Sequence, residues 1–181
     1  MIYDVSINQL ELFCAFDLKG SRTDISPCLA RLNALPPEAP NTMVVSGNIT
    51  LCWVGPTRWI LLAPHSEEEY LISEFEMKDS SEHDVSTVEI SDTLQLFSIQ
   101  GRDADDILAI CCPIDIHMTT FADNAVTYTE MFGTKVLVLR DTHGFQIAVE
   151  RSYADFINDS LHRILGKPLP VNHAGRPTRN H

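Results

Sequence analysis

Residues 111–117, Cys-Cys-Pro-Ile-Asp-Ile-His, form the densest run of side chains able to do chemistry. Cys112, Asp115 and His117 together supply a thiol, a carboxylate and an imidazole, the ingredients of nucleophilic catalysis. Such chemistry needs a thiolate, and hence a lowered pKa and a base within hydrogen-bond reach. The upstream positions Ala104, Ile107, Leu108 and Cys111 repeat at helical spacing, so the two cysteines close a helix. The C-terminal end of a helix disfavours an anion. Structural thiols are therefore the expectation. Pro113 ends the helix for want of an amide, Asp115 accepts backbone N–H groups beyond it, and His117 bridges strand and loop.

Other candidates are weaker. Asp92 reads as a turn or capping carboxylate. Arg102, beside Gly101, reads as an exposed cation in a surface ion pair. Trp53 and Trp59 flank a Gly-Pro turn, where they can pack a hairpin or offer a stacking surface. Tyr153 and Phe156 are the first residues to suspect of reaching a partner, with core packing expected for Phe156. The acidic run from Glu67 to Asp84 reads as a capped, solvated helix face. The seven histidines form no HxH or HExxH pattern, so no metal is expected. No GxGxxG or GxxxxGK loop and no GxSxG elbow occurs. The sequence thus assigns no catalytic, cofactor-binding or metal-binding residue to this chain.

The elements that would position these residues follow from periodicity. Val5–Phe16 alternates loosely, as a strand or an extended arm. Ser26–Leu35 reads as a helix with Ser26 as N-cap and Pro27 first, stopped by Pro36, Pro37 and Pro40. Ile49–Val54 and Trp59–Ala63 form a hairpin across Gly55-Pro56. A helix spans about 67–77. Strands follow at Asp84–Ile90 and Thr93–Ile99, the latter setting Leu94, Leu96 and Ser98 against Gln95, Phe97 and Ile99. A helix over Arg102–Cys111 precedes strands at Ala125–Met131, Lys135–Leu139 and Phe145–Val149. Ser152 caps a last helix to Leu165, with Tyr153, Phe156, Ile157, Leu161 and Ile164 in one stripe. Hairpins outnumber strand–helix–strand units, which predicts an α+β fold of mostly antiparallel sheet covered by helices.

With 44% hydrophobic and 21% charged residues, the 181-residue chain has globular composition. One α+β domain over 1–166 is expected, its first 45 residues irregular, with a disordered tail over 167–181. A net charge of -12 repels phosphate backbones and argues against nucleic acid. No apolar run spans a bilayer and no signal segment is visible. Five irregularly spaced cysteines suit reduced thiols in a cytoplasmic protein.

Four stretches, taken in order, resemble the gamma subunit of heterotetrameric sarcosine oxidase. Ile49–Ala63, ITLCWVGPTRWILLA, is similar to that family's Gly-Pro hairpin, and Val88–Gly101, VEISDTLQLFSIQG, to its strand turn and strand. Asp103–His117, DADDILAICCPIDIH, resembles a helix ending in Cys-Pro-x-Asp-x-His. Arg151–Phe156, RSYADF, resembles the opening of the last helix. Together they cover roughly residues 45–165. The resemblance implies a fold similar to the folate-binding domains of the glycine cleavage T-protein, with a ferredoxin-like portion. It further implies a four-chain alpha-beta-gamma-delta complex in which partner chains hold FAD, FMN, NAD, zinc and tetrahydrofolate. There sarcosine is demethylated to glycine, the one-carbon unit passes to tetrahydrofolate and oxygen becomes hydrogen peroxide. This chain would be a non-catalytic partner of the large alpha subunit, with Asp92, Cys112, Pro113, Asp115 and His117 defining shape at most. Docking is expected on an exposed apolar patch, on the sheet or on the last helix near Tyr153, because the apolar strands exceed what one helical layer covers. The isolated chain could pair with itself through that patch. The alternative is a free-standing folate or one-carbon binding module. A small independent enzyme would need Cys112, Asp115 and His117 to converge in one cleft.

Overall fold

The computed structural model describes residues 3–76 and 85–166. Two strands open the chain, β1 (Ser6–Leu10) and β2 (Phe13–Lys19), followed by α1 (Arg22–Arg31). Next come β3 (Met43–Ser46), β4 (Ile49–Gly55), β5 (Arg58–Pro64), α2 (Glu68–Glu76) and β6 (Ser86–Glu89). The second half holds β7 (Leu94–Gln100), α3 (Ala104–Cys111), β8 (Val126–Met131), β9 (Thr134–Asp141), β10 (Gly144–Glu150) and α4 (Ala154–Ile164). The strands form two five-stranded sheets, ordered β1-β7-β10-β9-β8 and β3-β4-β5-β2-β6, and every pairing is antiparallel.

Period-two alternation explains the layers. In β7, Phe97 and Ile99 face a core completed by Ile107 and Leu108 of α3 and Ile157 and Leu161 of α4. Leu96, on the opposite face, joins Ala15, Ile60, Leu62, Leu137 and Ala148 in a layer between the two sheets. Cys14, Phe16, Trp59 and Leu61 face outward again, onto Ile25 and Leu29 of α1 and Leu71 of α2. The result is helix, sheet, sheet, helix. The apolar surplus of the strands is therefore buried by the second sheet and not left on an open sheet face, as the sequence alone allowed. Each Leu or Ile so buried contributes about 1.5–3 kcal/mol.

The two halves repeat one plan. The succession β2-α1-β3-β4-β5-α2-β6 matches β7-α3-β8-β9-β10-α4-β1 in sheet position and strand direction. The last place in the second unit is filled by β1, from the beginning of the chain. Short 3-10 turns, His65–Glu67 and Arg151–Tyr153, lead into α2 and α4 alike. The seam is reciprocal: the Met43 amide donates to the Asn124 carbonyl (2.7 Å) and the Val126 amide to the Asn41 carbonyl (2.9 Å), around a Thr42–Ala125 bridge.

Several expectations need correction. Residues 3–45 are not irregular, since β1, β2, α1 and most of β3 lie there. Val5–Phe16 holds parts of two strands in different sheets, and β1 finds its partner in β7, with Ser6 opposite Gln100. The first helix begins at Arg22, four residues before Ser26. Ser21 caps it, its side chain accepting from the Asp24 amide (3.2 Å) while the Asp24 carboxylate accepts from the Ser21 amide (3.2 Å). That reciprocal pair satisfies two amides at once, which a lone Ser26 before Pro27 cannot do. Pro27 sits inside the helix, and Ser26 Oγ donates to the Arg22 carbonyl (2.6 Å). Ser152 lies in a 3-10 turn and α4 has no side-chain cap. Met77, His83, Asp84 and the tail 167–181 lie outside the described residues.

Candidate functional site

Beyond α3 the chain turns through the 112–121 segment. The Cys112 amide donates to the Leu108 carbonyl (2.8 Å) and closes the helix before Pro113. Cys112 is buried in the core under α3 and α4. A hydrogen bond with Cys111, together with burial, pushes its thiol well above the ordinary range. Asp115 and His117 are exposed and belong to one tight turn. Asp115 Oδ1 accepts from the His117 amide (3.0 Å) and Oδ2 from the Thr120 hydroxyl (3.0 Å). The amide bond and then the hydroxyl lower its pKa below the ordinary 3.8. His117 Nδ1 pairs with Thr119 Oγ1 at 2.9 Å. The thiol thus points into the core while carboxylate and imidazole stay with their own loop. Among the described residues no base reaches the sulfur.

Asp115 takes the backbone role expected of it, but His117 does not bridge loop to strand. Arg140 does, a residue sequence reasoning missed. It is the penultimate residue of β9, is 5% exposed, and donates Nη1 to Asp105 (3.2 Å) and Nη2 to the Ile116 carbonyl. Its guanidinium lies 4.6 Å from the Phe145 ring centre and 5.9 Å from that of Phe121. The arginine therefore ties α3, the 112–121 turn and the sheet together. The available signal was a lone cation closing the otherwise apolar run Val136–Leu139.

The remaining candidates separate. Asp92 offers its backbone carbonyl, which accepts from Arg151 Nε at 2.9 Å. Arg102 is exposed and pairs with Asp4 at 3.0 Å. Trp53 and Trp59 stack on each other at 4.7 Å, Trp59 fully buried with its Nε1 donating to the Gly20 carbonyl (3.1 Å). That stack packs the hairpin and leaves no open platform between the rings. Among the described residues no group of three or more His, Cys, Asp or Glu side chains is placed to hold a metal ion.

What remains open is a surface. Tyr153 and Phe156 at the start of α4 are 47% and 49% exposed. Phe156, expected in the core, instead meets Phe132 edge-on at 6.4 Å. The true inward stripe of α4 is Ala154, Ile157 and Leu161. The Phe132 amide donates to the Cys111 carbonyl (3.4 Å), which brings the β8–β9 turn to the end of α3, where Ile110 is 54% exposed. Aromatic and aliphatic side chains from three elements thus meet solvent together.

The molecule so described is an α+β protein with two antiparallel sheets back to back, helices outside, and no convergence of the catalytic candidates. The model of the sarcosine oxidase, gamma subunit family matches residues 20–166, and the chain belongs to that family. Among solved structures it is similar to a chain of the heterotetrameric sarcosine oxidase from Corynebacterium sp. U-96. The TM-score is 0.72 at 16% identity, over 90% of this chain and 82% of that one. It is also similar to the glycine cleavage system aminomethyltransferase T from Bartonella henselae, with TM-score 0.65 and 13% identity, over 89% of this chain. It spans 46% of that protein's length. At these identities both likenesses concern the fold. No curated protein matches the sequence.

Proposed function

We propose that this chain is a non-catalytic subunit of a multi-subunit sarcosine oxidase, docked on the large alpha subunit within an alpha-beta-gamma-delta assembly. The observation that carries the reading is the family match over residues 20–166, joined to a site whose thiol, carboxylate and imidazole do not meet. In this reading partner chains hold FAD, FMN, NAD, zinc and tetrahydrofolate. They demethylate sarcosine to glycine, pass the one-carbon unit to tetrahydrofolate and reduce oxygen to hydrogen peroxide. This chain contributes shape, through one folding unit over 1–166, and a docking face around Tyr153, Phe156 and Phe132. Amphipathic aromatics with half their surface free supply much of the energy of protein interfaces. All five cysteines are unpaired and buried, which suits a reducing cytoplasm. No helix among the described residues is long and apolar enough to cross a membrane.

The test is capture of the tagged chain from its native extract, with flavin absorbance and sarcosine turnover measured on the captured material. Flavin-bearing chains and folate-stimulated turnover are expected. The double variant Tyr153→Asp, Phe156→Asp should cut that yield at least about tenfold, since a truncated aromatic anchor typically costs more than about 1 kcal/mol. A chain recovered alone, colourless and binding folate would replace this reading with the free-standing module.

A further inference from the structure

The layer between the sheets opens at both ends, and the internal repeat makes the two openings counterparts. One is a groove of about 580 Å³ lined by Leu10, Leu12, Phe13 and Leu62 with polar neighbours such as Asn48 and Gln146, and with Glu11 as its single charged residue among those described. The other, about 440 Å³, has Ile90, Leu94 and Ala148 in its wall beside Thr93, Tyr128 and Ser152, and carries five charged side chains: Asp17, Arg58, Lys135, Glu150 and Arg151.

Strand register provides an internal control. Asp17 lies opposite Ile60, as Ser98 lies opposite Gln146, so Ser98 occupies the place of Asp17 in the other half. By the same comparison Gly144 stands where Arg58 does, Val45 where Tyr128 does, and Pro64 where Glu150 does. Lys135 belongs to one of two extra pairs, Glu130–Lys135 and Met131–Thr134, by which the β8–β9 hairpin outreaches β3–β4. The fold is built at the other end without these charges. Partly buried ion pairs seldom repay their desolvation, so stability does not account for them.

The charges also have spare capacity. Arg58 is committed to Asp17 through two hydrogen bonds of 3.0 and 3.1 Å. Lys135 rests 4.4 Å from the Tyr128 ring centre, and Arg151 donates only Nε, to a backbone carbonyl. Among the described residues neither cation has a carboxylate within ion-pair distance. Glu150 is the one unpaired carboxylate among the described residues of the cleft wall. Two free cations against one free anion make a positive site on a chain of net charge -12.

We propose that this cleft binds a small organic carboxylate, the anionic group between Lys135 and Arg151 and a compact apolar body against Tyr128, Leu94 and Ala148. Burial raises the Tyr128 pKa, which leaves the phenol a hydrogen-bond donor at neutral pH. The volume suits a small molecule.

The test is an amide-NMR titration of the full chain with benzoate, with benzamide as the uncharged counterpart and inorganic phosphate as the anion without an apolar body. Saturable shifts around Tyr128, Lys135 and Arg151 are expected with benzoate alone. Lys135→Gln and Arg151→Gln should each weaken binding about fivefold, and Glu150→Gln should tighten it about twofold, as removal of one exposed attraction or repulsion implies. These side chains are exposed, and matched melting curves exclude misfolding as the cause. Benzoate shifts that stay linear to about 20 mM, below any useful affinity, would overturn the proposal. So would equal binding of benzamide or phosphate, or indifference to the charge variants.

Discussion

Arg140 offers the sharpest check on how the 112–121 turn is held. Replacing it with alanine removes a charge-assisted hydrogen bond to the Ile116 carbonyl, worth about 1.5–3 kcal/mol. It also removes an ion pair with Asp105, which is half exposed at 52% and so worth only about 0.5 kcal/mol. Loss of the cation above Phe145 adds about 0.5–2 kcal/mol. Part of this is returned, because the guanidinium is desolvated and its Nε is buried with no hydrogen-bond partner. The expected net loss for Arg140→Ala is about 2–4 kcal/mol, seen as a melting temperature lowered by about 5–15 °C for a domain of this size. Arg140→Met keeps the stem against Phe145 and Phe121 and drops the buried charge, so it should lose about half as much. Both variants leave the Ile116 carbonyl open and should raise hydrogen exchange at Thr120 and Phe121, whose amides bond to the His117 carbonyl. Urea unfolding and hydrogen-exchange mass spectrometry read the two effects separately. An alanine variant within about 1 kcal/mol of the parent, with the 114–121 amides still protected, would refute the tie.

Acidification should loosen the same turn from another side. Asp115 titrates below its ordinary 3.8 in the fold, so its carboxylate supports the turn fully above that pH and the support fades as pH falls through the lower folded value. Amide shifts of His117 and Thr120 followed from pH 6 downward should move together only below about 4, and Asp115→Asn should abolish that step. Thiol chemistry is equally specific. All five cysteines are buried, and burial with nearby Glu68 pushes Cys14 up to about 11. An aromatic disulfide reagent at pH 8 should therefore leave the native chain unmodified and label five thiols in denaturant. Rapid labelling of Cys112 in the native state would contradict its place in the core.

Much of the local structure was legible because it depends on neighbours in sequence. Alternation in Leu94–Ile99 identified both faces of β7, Gly55-Pro56 marked the turn between β4 and β5, and spacing from Ala104 to Cys111 placed α3. The same locality showed that Cys112 ends a helix and makes a poor thiolate, and that Asp115 serves backbone amides. The family resemblance was likewise carried by short ordered stretches, and the match over residues 20–166 bears it out. The start of the first helix is set by the Ser21–Asp24 capping pair, which acts over only three residues, and not by Pro27, whose fixed φ suits a first helical position but also fits inside the helix.

Other features were decided in three dimensions. Val5–Phe16 splits between two sheets because β1 pairs with a strand some ninety positions away, Ser6 against Gln100, and no local pattern encodes that partner. Apolar residues on both faces of the strands signalled burial, but only the packing of sheet on sheet, about Ala15, Ile60, Leu137 and Ala148, revealed what covers them. Phe156 and Ile157 are adjacent in sequence and both apolar, but they point about 100° apart around α4, so the side packed on the core buries Ile157 and leaves Phe156 half exposed. Arg140 looked like the end of a strand until Asp105, Ile116 and Phe145 closed around it. Periodicity determines which side of an element is apolar. Which partner meets that side is a property of long-range packing, and both the exposed aromatic patch beside α4 and the charged cleft are built from it.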